Sequence, residues 1–191
     1  MAKNKSILFF LFLLGSVIWI QCLGCSGDIR NNVVDTIKHY LFVEEATGNN
    51  DGYWVEKMQE SVGARVGDPW CGCFQGFAFI QNGLKVPKYA ARAAAWFVEP
   101  YLIQKEEAQK GDVASLYYLK LGRIGHIVNL LKRFDMPGAY VVTGEGNTNR
   151  EGSREGNKAA KRYRLKKTIH STADWITWQT KEVRFYKCNM K

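Results

Sequence analysis

The sequence predicts an α+β domain in which helices come first and pack on an antiparallel β-sheet made by the later part of the chain. Three observations carry this. Helical patterns run up to residue 97, and short β-favouring runs separated by Gly, Pro, Asn and Lys clusters take over from residue 113. The length of 191 residues allows one compact domain beside a targeting segment. Hydrophobic residues at 46% and aromatics at 13% supply a core for it, so disorder is expected only in short stretches.

The first 24 residues stand apart. Lys3 and Lys5 precede an unbroken apolar run over 7–14, followed by Gly15, Ser16 and the apolar 17–20. A charged start and an apolar run shorter than the roughly 20 residues of a spanning helix read as a signal peptide over 1–24. The segment ends Cys22-Leu23-Gly24-Cys25-Ser26, similar to a bacterial lipoprotein box, with Cys22 where the box usually has Leu. Lipidation of Cys25, ordinary cleavage near Gly24 with secretion, and an uncleaved anchor all stay open. Each exports the chain, to the cell envelope as a membrane-attached or periplasmic protein or to the outside.

The net charge is +9; loss of 1–24 removes two lysines and no acids, leaving 25 basic against 18 acidic residues, or +7. Such a charge attracts anionic lipid, wall polymer or nucleic acid alike, and export makes nucleic acid the least natural partner. Cysteines stand at 22, 25, 71, 73 and 188. They form no metal-binding spacing and no dense disulfide framework, so a thiol is left for chemistry, or simply for packing.

Ile29, Val33, Val34, Ile37 and Leu41 mark a first amphipathic helix, closed by Thr47-Gly48-Asn49-Asn50-Asp51-Gly52. Trp54, Met58 and Val62 mark a second, short one. Asp68 as N-cap and Pro69 at the first helical position open a third through Trp70, Cys71, Phe74, Phe77 and Ile80, closed by Asn82-Gly83. This puts Cys71 in a first turn, where unpaired backbone N–H groups and the helix dipole favour a thiolate and can receive an oxyanion. The alanine-rich 89–97 reads as a fourth helix. Strands are expected at 113–119, 124–131, 140–143 and 163–165, and the basic stretch within 147–167 reads as a solvated loop or hairpin ahead of a binding patch.

A reactive cysteine needs a base, and the histidines are His39, His126 and His170. His39 falls in the first amphipathic helix. His126 follows Gly125 and precedes Ile127-Val128 on an expected strand, a rigid position; His170 is the reserve candidate.

Asn49-Asn50-Asp51-Gly52, Gly67-Asp68-Pro69-Trp70-Cys71, Gly111-Asp112-Val113, Gly125-His126-Ile127-Val128, Glu145-Gly146-Asn147-Thr148-Asn149 and Gly152-Ser153-Arg154-Glu155-Gly156 together resemble the CHAP family, the cysteine- and histidine-dependent amidohydrolases/peptidases. The resemblance runs over roughly 29–180. It implies a papain-like fold in a catalytic domain over 26–191, with helices packed on the sheet. By position it makes Cys71 the nucleophile and His126 the general base and then acid, with Glu145 or Asn147 orienting the imidazole. It calls for no cofactor or metal. Along an extended strand i and i+2 share a face, so both Glu145 and Asn147 remain open. The family usually has small apolar residues after the cysteine, whereas Gly72 and Cys73 follow here, and Cys73 is a rival thiol. Cys73 is read as packed on the opposite helix face, or paired with Cys188. Trp70 and Gln75 are the candidate substrate contacts, with Gln75 favoured as a cap on a polar site wall.

The implied function is peptidoglycan hydrolysis, as an N-acetylmuramoyl-L-alanine amidase or as a stem- or cross-bridge endopeptidase. The alternative is a catalytically silent protein that binds the wall or a membrane surface through the basic hairpin.

Overall fold

The computed structural model describes residues 25–149 and 156–180. The signal over 1–24 with Cys22, the motif at 152–155 and Cys188 lie outside the described residues.

The architecture is α+β, with three helices ahead of a six-stranded sheet. Helices α1 (Cys25–His39), α2 (Tyr53–Ser61) and α3 (Cys71–Gln81) are followed by β1 (Leu102–Ile103), β2 (Val113–Tyr118), β3 (Arg123–Leu130), β4 (Tyr140–Thr148), β5 (Lys158–Leu165) and β6 (Ile169–Ala173). The strands lie in the order β1-β6-β2-β3-β4-β5, every pair antiparallel. Among the described residues no helix is long and apolar enough to cross a membrane.

Alternation along β3 divides the core. Ile127 joins Val33, Phe79, Trp96, Trp175 and Ile176 on one side. Val128 and Leu130 join Leu116, Phe134, Val141 and Ile169 on the other. A third cluster, with Ile37, Met58, Trp70, Cys73 and Phe74, holds the three helices together. Helix α3 is buried on every side from Cys71 to Phe79, so it is the central helix and reads as a continuous apolar run. Two of its neighbours approach as backbone. A Cβ on Gly72 would sit 2.3 Å from the Ala90 carbonyl oxygen, and one on Gly146 of β4 would sit 2.5 Å from Phe74 Cβ.

The expected fourth helix over 89–97 is instead a set of turns with one 3-10 turn at Ala93–Trp96. Helix propensity of alanine is outweighed by packing of the indoles. Trp96 is fully buried, edge-on to Phe79 and Trp175; its Nε1 donates to the Ala90 carbonyl, while Trp175 Nε1 donates to the Trp96 carbonyl. Strands β1 and β6 carry no strong sequence signal and go beyond the four expected ones.

Candidate active site

Helix α3 begins at Cys71, two residues later than its sequence suggests, with Trp70 in the N-cap position and no side-chain cap. Asp68, expected as that cap, turns back to accept the Arg65 backbone N–H at 3.1 Å. The segment before the helix is braced from elsewhere. Gln59 of α2, fully buried, donates to the Asn50 and Asp68 carbonyls at 2.9 and 2.7 Å. Glu45 accepts Trp70 Nε1 at 2.7 Å and the Asn50 backbone N–H at 3.0 Å.

His126 lies on β3 opposite Leu116, and Ile124 lies opposite Tyr117, so Gly125 is the extra residue of a bulge. A bulge re-aims the side chain beside it, which explains a glycine at this point. The imidazole is fully buried. Its Nε2 lies 3.0 Å from Glu145 Oε2, and among the described residues its Nδ1 has no hydrogen-bond partner. The Cys71 thiol is the other group that acts on the ring.

Burial raises the Cys71 thiol, and the His126 side chain together with the backbone N–H groups of Ile127 and Gly72 reverses this, leaving it below the usual thiol range. Burial lowers His126, but Cys71 and Glu145 carry it up to about 9. Burial raises Glu145, and Arg164 and His126 bring it down to about 2. These directions favour a thiolate–imidazolium pair held by a carboxylate over a neutral thiol and imidazole. Cys73 differs in kind: burial and the nearby Cys71 push its thiol up to about 12, and it is a free, fully buried thiol packed among the helices.

Glu145 is itself held by three further hydrogen bonds from two residues. Thr143 Oγ1 donates to Oε1 at 2.6 Å, Arg164 Nε donates to Oε1 at 2.8 Å, and Arg164 donates a second bond to Oε2 at 2.5 Å. The bidentate Arg164 fork sits in the basic stretch that the sequence suggests is merely solvated. Its signal was alternation along β5: Arg164 pairs with Val141 and Ala160 with Glu145, which puts positions 160, 162 and 164 on one face with Glu145.

Asn147 departs from expectation. Between Glu145 and Thr148 two residues of β4 face one of β5, and Asn147 takes a positive φ of 52°. That bulge breaks the i, i+2 rule, so Asn147 does not follow Glu145 to the imidazole. Its Nδ2 donates to Asn50 Oδ1 at 2.8 Å, a tie to the turn beside the helix entrance. Trp70 and Gln75, the expected substrate contacts, are both fully buried. Trp70 is held by Glu45, and Gln75 Nε2 donates to the Gly144 carbonyl at 3.2 Å, pinning α3 to β4. In the structure both side chains are interior braces, and Gln75 Oε1 has no hydrogen-bond partner among the described residues. His170 lies exposed beside Tyr117, and His39 exposed beside Tyr40 and Phe42, both away from the thiol.

Cys71, 6% exposed, opens onto a cleft of about 560 Å³ walled by Pro69, Tyr89, Ala91, Arg92, Arg123 and Gly125 among others. Among the described residues no cluster of His, Cys, Asp and Glu is arranged to hold a metal ion. Such a site suits nucleophilic chemistry at an acyl carbon: a thiolate, a charged imidazole beside it, and a helix start without a side-chain cap. Comparisons with protein-family models, with curated proteins and with solved structures returned no match.

Proposed function

We propose that the chain is an exported cysteine hydrolase with a papain-like catalytic domain that cleaves an amide bond of peptidoglycan, as a muramoyl-alanine amidase or a stem- or cross-bridge endopeptidase. The observation that carries the reading is the series Cys71, His126, Glu145, Arg164, in which a low thiol meets an imidazole whose far nitrogen is held by a fixed carboxylate. The choice of the wall as substrate rests on the motif resemblance and on the export signal read in 1–24, with Cys25 as the site of lipid attachment to the membrane.

In this mechanism the Cys71 thiolate attacks the amide carbonyl carbon, and the oxygen that becomes negative faces the first-turn N–H groups of α3. The imidazolium gives its Nδ1 proton to the amide nitrogen as the C–N bond breaks, leaving an acyl thioester and a free amine. His126, now neutral, takes a proton from water as its oxygen attacks the thioester, and the thiolate departs. Glu145 holds Nε2–H throughout, so the imidazole is charged when the thiol is. General acid–base transfer of this kind contributes about 100- to 10,000-fold.

Digestion of purified walls followed by mass spectrometry of the fragments tests the reading. Release of new amino groups, blocked by thiol alkylation and by Cys71→Ala and unaffected by chelators, is the expected result. Loss of release on chelation with alkylation tolerated would reject a thiol mechanism, and an intact wall after treatment would leave the silent binding protein.

A further inference from the structure

The cleft over Cys71 carries more positive charge than acyl transfer needs. Its walls hold Arg65, Lys88, Arg92 and Arg123 against one acid, Asp68. That acid is already engaged by Arg65, 3.6 Å from the guanidinium and bonded to the same residue's backbone N–H. Among the described residues no carboxylate pairs with Lys88, Arg92 or Arg123. Lys88 and Arg92 stand on either side of Ala90 and Ala91, whose carbonyls press on Gly72 in the first turn of α3. This packing brings both cations to the cleft wall next to the nucleophile. Both lie against the exposed Tyr89 ring, at 5.4 and 5.3 Å from its centroid, so the two cations are held near each other at the solvent-facing rim of the cleft.

We infer that this cleft selects an acidic peptide, seating a carboxylate next to the scissile amide against Lys88 and Arg92. The inference rests on the reading of Cys71 as the nucleophile. Like charges kept together in a concave wall raise the local concentration of an anion and its encounter rate, and salt screens the effect over about 8 Å at physiological strength. A charge-assisted contact from Lys88 or Arg92 then fixes the peptide's register relative to the sulfur. The same peptide with its carboxylate amidated loses both gains. Arg123, two residues before the Gly125 bulge, supplies positive charge from the β3 side of the same cleft.

Two measurements on the full chain test this. In the first, Cys71 is alkylated with anionic iodoacetate and with neutral iodoacetamide, and peptide mass spectrometry reads modification at Cys71 alone. The iodoacetate-to-iodoacetamide rate ratio is expected to fall about tenfold or more in Lys88→Gln/Arg92→Gln, and also in high salt. In the second, soluble muropeptides with free and with amidated stem carboxylates are compared as substrates; the free form is expected to be preferred about tenfold through KM, with the preference lost in the double variant. An unchanged alkylation ratio together with equal handling of the two peptides would overturn the inference and leave the hydrolase standing. A charge-sensitive ratio with neither peptide cleaved would sustain the anion-binding cleft and reject the hydrolase.

Discussion

Charge is buried in two places, and they end differently. Arg30 of α1 donates to Asp112 at 2.6 Å and to Asp174 at 2.7 Å, and also to the Lys110 carbonyl and the Thr177 hydroxyl. Asp112 Oδ2 takes the Gln109 N–H, and Asp174 Oδ1 takes the Ile176 and Thr177 N–H groups. That network closes on itself, tying α1 to the strand edge and to the helical backbone at 175–180. The series from Arg164 through Glu145 to His126 is as tightly bonded, but among the described residues it stops at an imidazole nitrogen with no hydrogen bond, on a ring that also acts on a thiol opening on a cleft. Burial of ions alone therefore does not mark a site. A network that stabilises satisfies all its members, whereas one that reacts keeps an end for the substrate.

Breaking each network should give opposite phenotypes. Cys71→Ala is expected to remove essentially all wall hydrolysis, with the melting temperature within a few degrees of the parent. Arg30→Met should do the reverse in order, losing about 3 kcal/mol or more because two carboxylates are left without their cation. Denaturant titration beside fragment release distinguishes them, and a Cys71→Ala protein that still cleaves would require the helix register to be redrawn.

A subtler cut is Glu145→Gln. With His126 raised to about 9, parental activity should hold through neutral pH and fall as the imidazolium loses its proton near 9. The variant should lose about 100-fold or more in kcat/KM, and its alkaline limb should move down toward the ordinary histidine range. Stability carries the matching sign. Glu145 is depressed from 4.5 to about 2, so its contribution is full above 4.5 and lost as pH falls through that window. Melting curves at descending pH should converge for parent and variant.

Arg164→Lys keeps a charge but loses the bidentate fork, so a drop of about tenfold in kcat is expected, with the alkaline limb displaced in the same direction as in Glu145→Gln. A kcat change without any displacement of the pH profile would reduce Arg164 to a structural role. In the closed network, burial and Asp174 push Asp112 up to about 7 in spite of Arg30. Its folded value lies above the unfolded one, so the stability it confers declines as pH rises from about 4 to 7. Asp112→Asn should flatten that part of the stability curve with turnover intact. The smallest effect belongs to Cys73→Ala, expected to cost about 1 kcal/mol of packing and no activity; a folded but dead Cys73→Ala would overturn the choice of thiol.

Local pattern in the chain was enough for helices ahead of an antiparallel sheet, for Cys71 in a first helical turn, and for His126 on a strand behind a glycine. Helical spacing, punctuation by Asn-Gly and Gly-Pro-type residues, and β-branched runs act over a few neighbours, and they are visible in any one segment. Tertiary structure decided the rest. Whether Glu145 or Asn147 meets the imidazole depends on a bulge, which exists only once β4 is paired with β5. Arg164 became a partner of Glu145 through that same pairing; alternation in the basic stretch gives it a face, but only the register gives it Glu145. Trp70 and Gln75 became interior braces because α3 is enclosed on every side, and alanine-rich 89–97 gave up a helix to the packing of Trp96 on Phe79 and Trp175. Cross-strand register and burial are set by residues distant in sequence, so the partners of a side chain, unlike its element, are not written beside it.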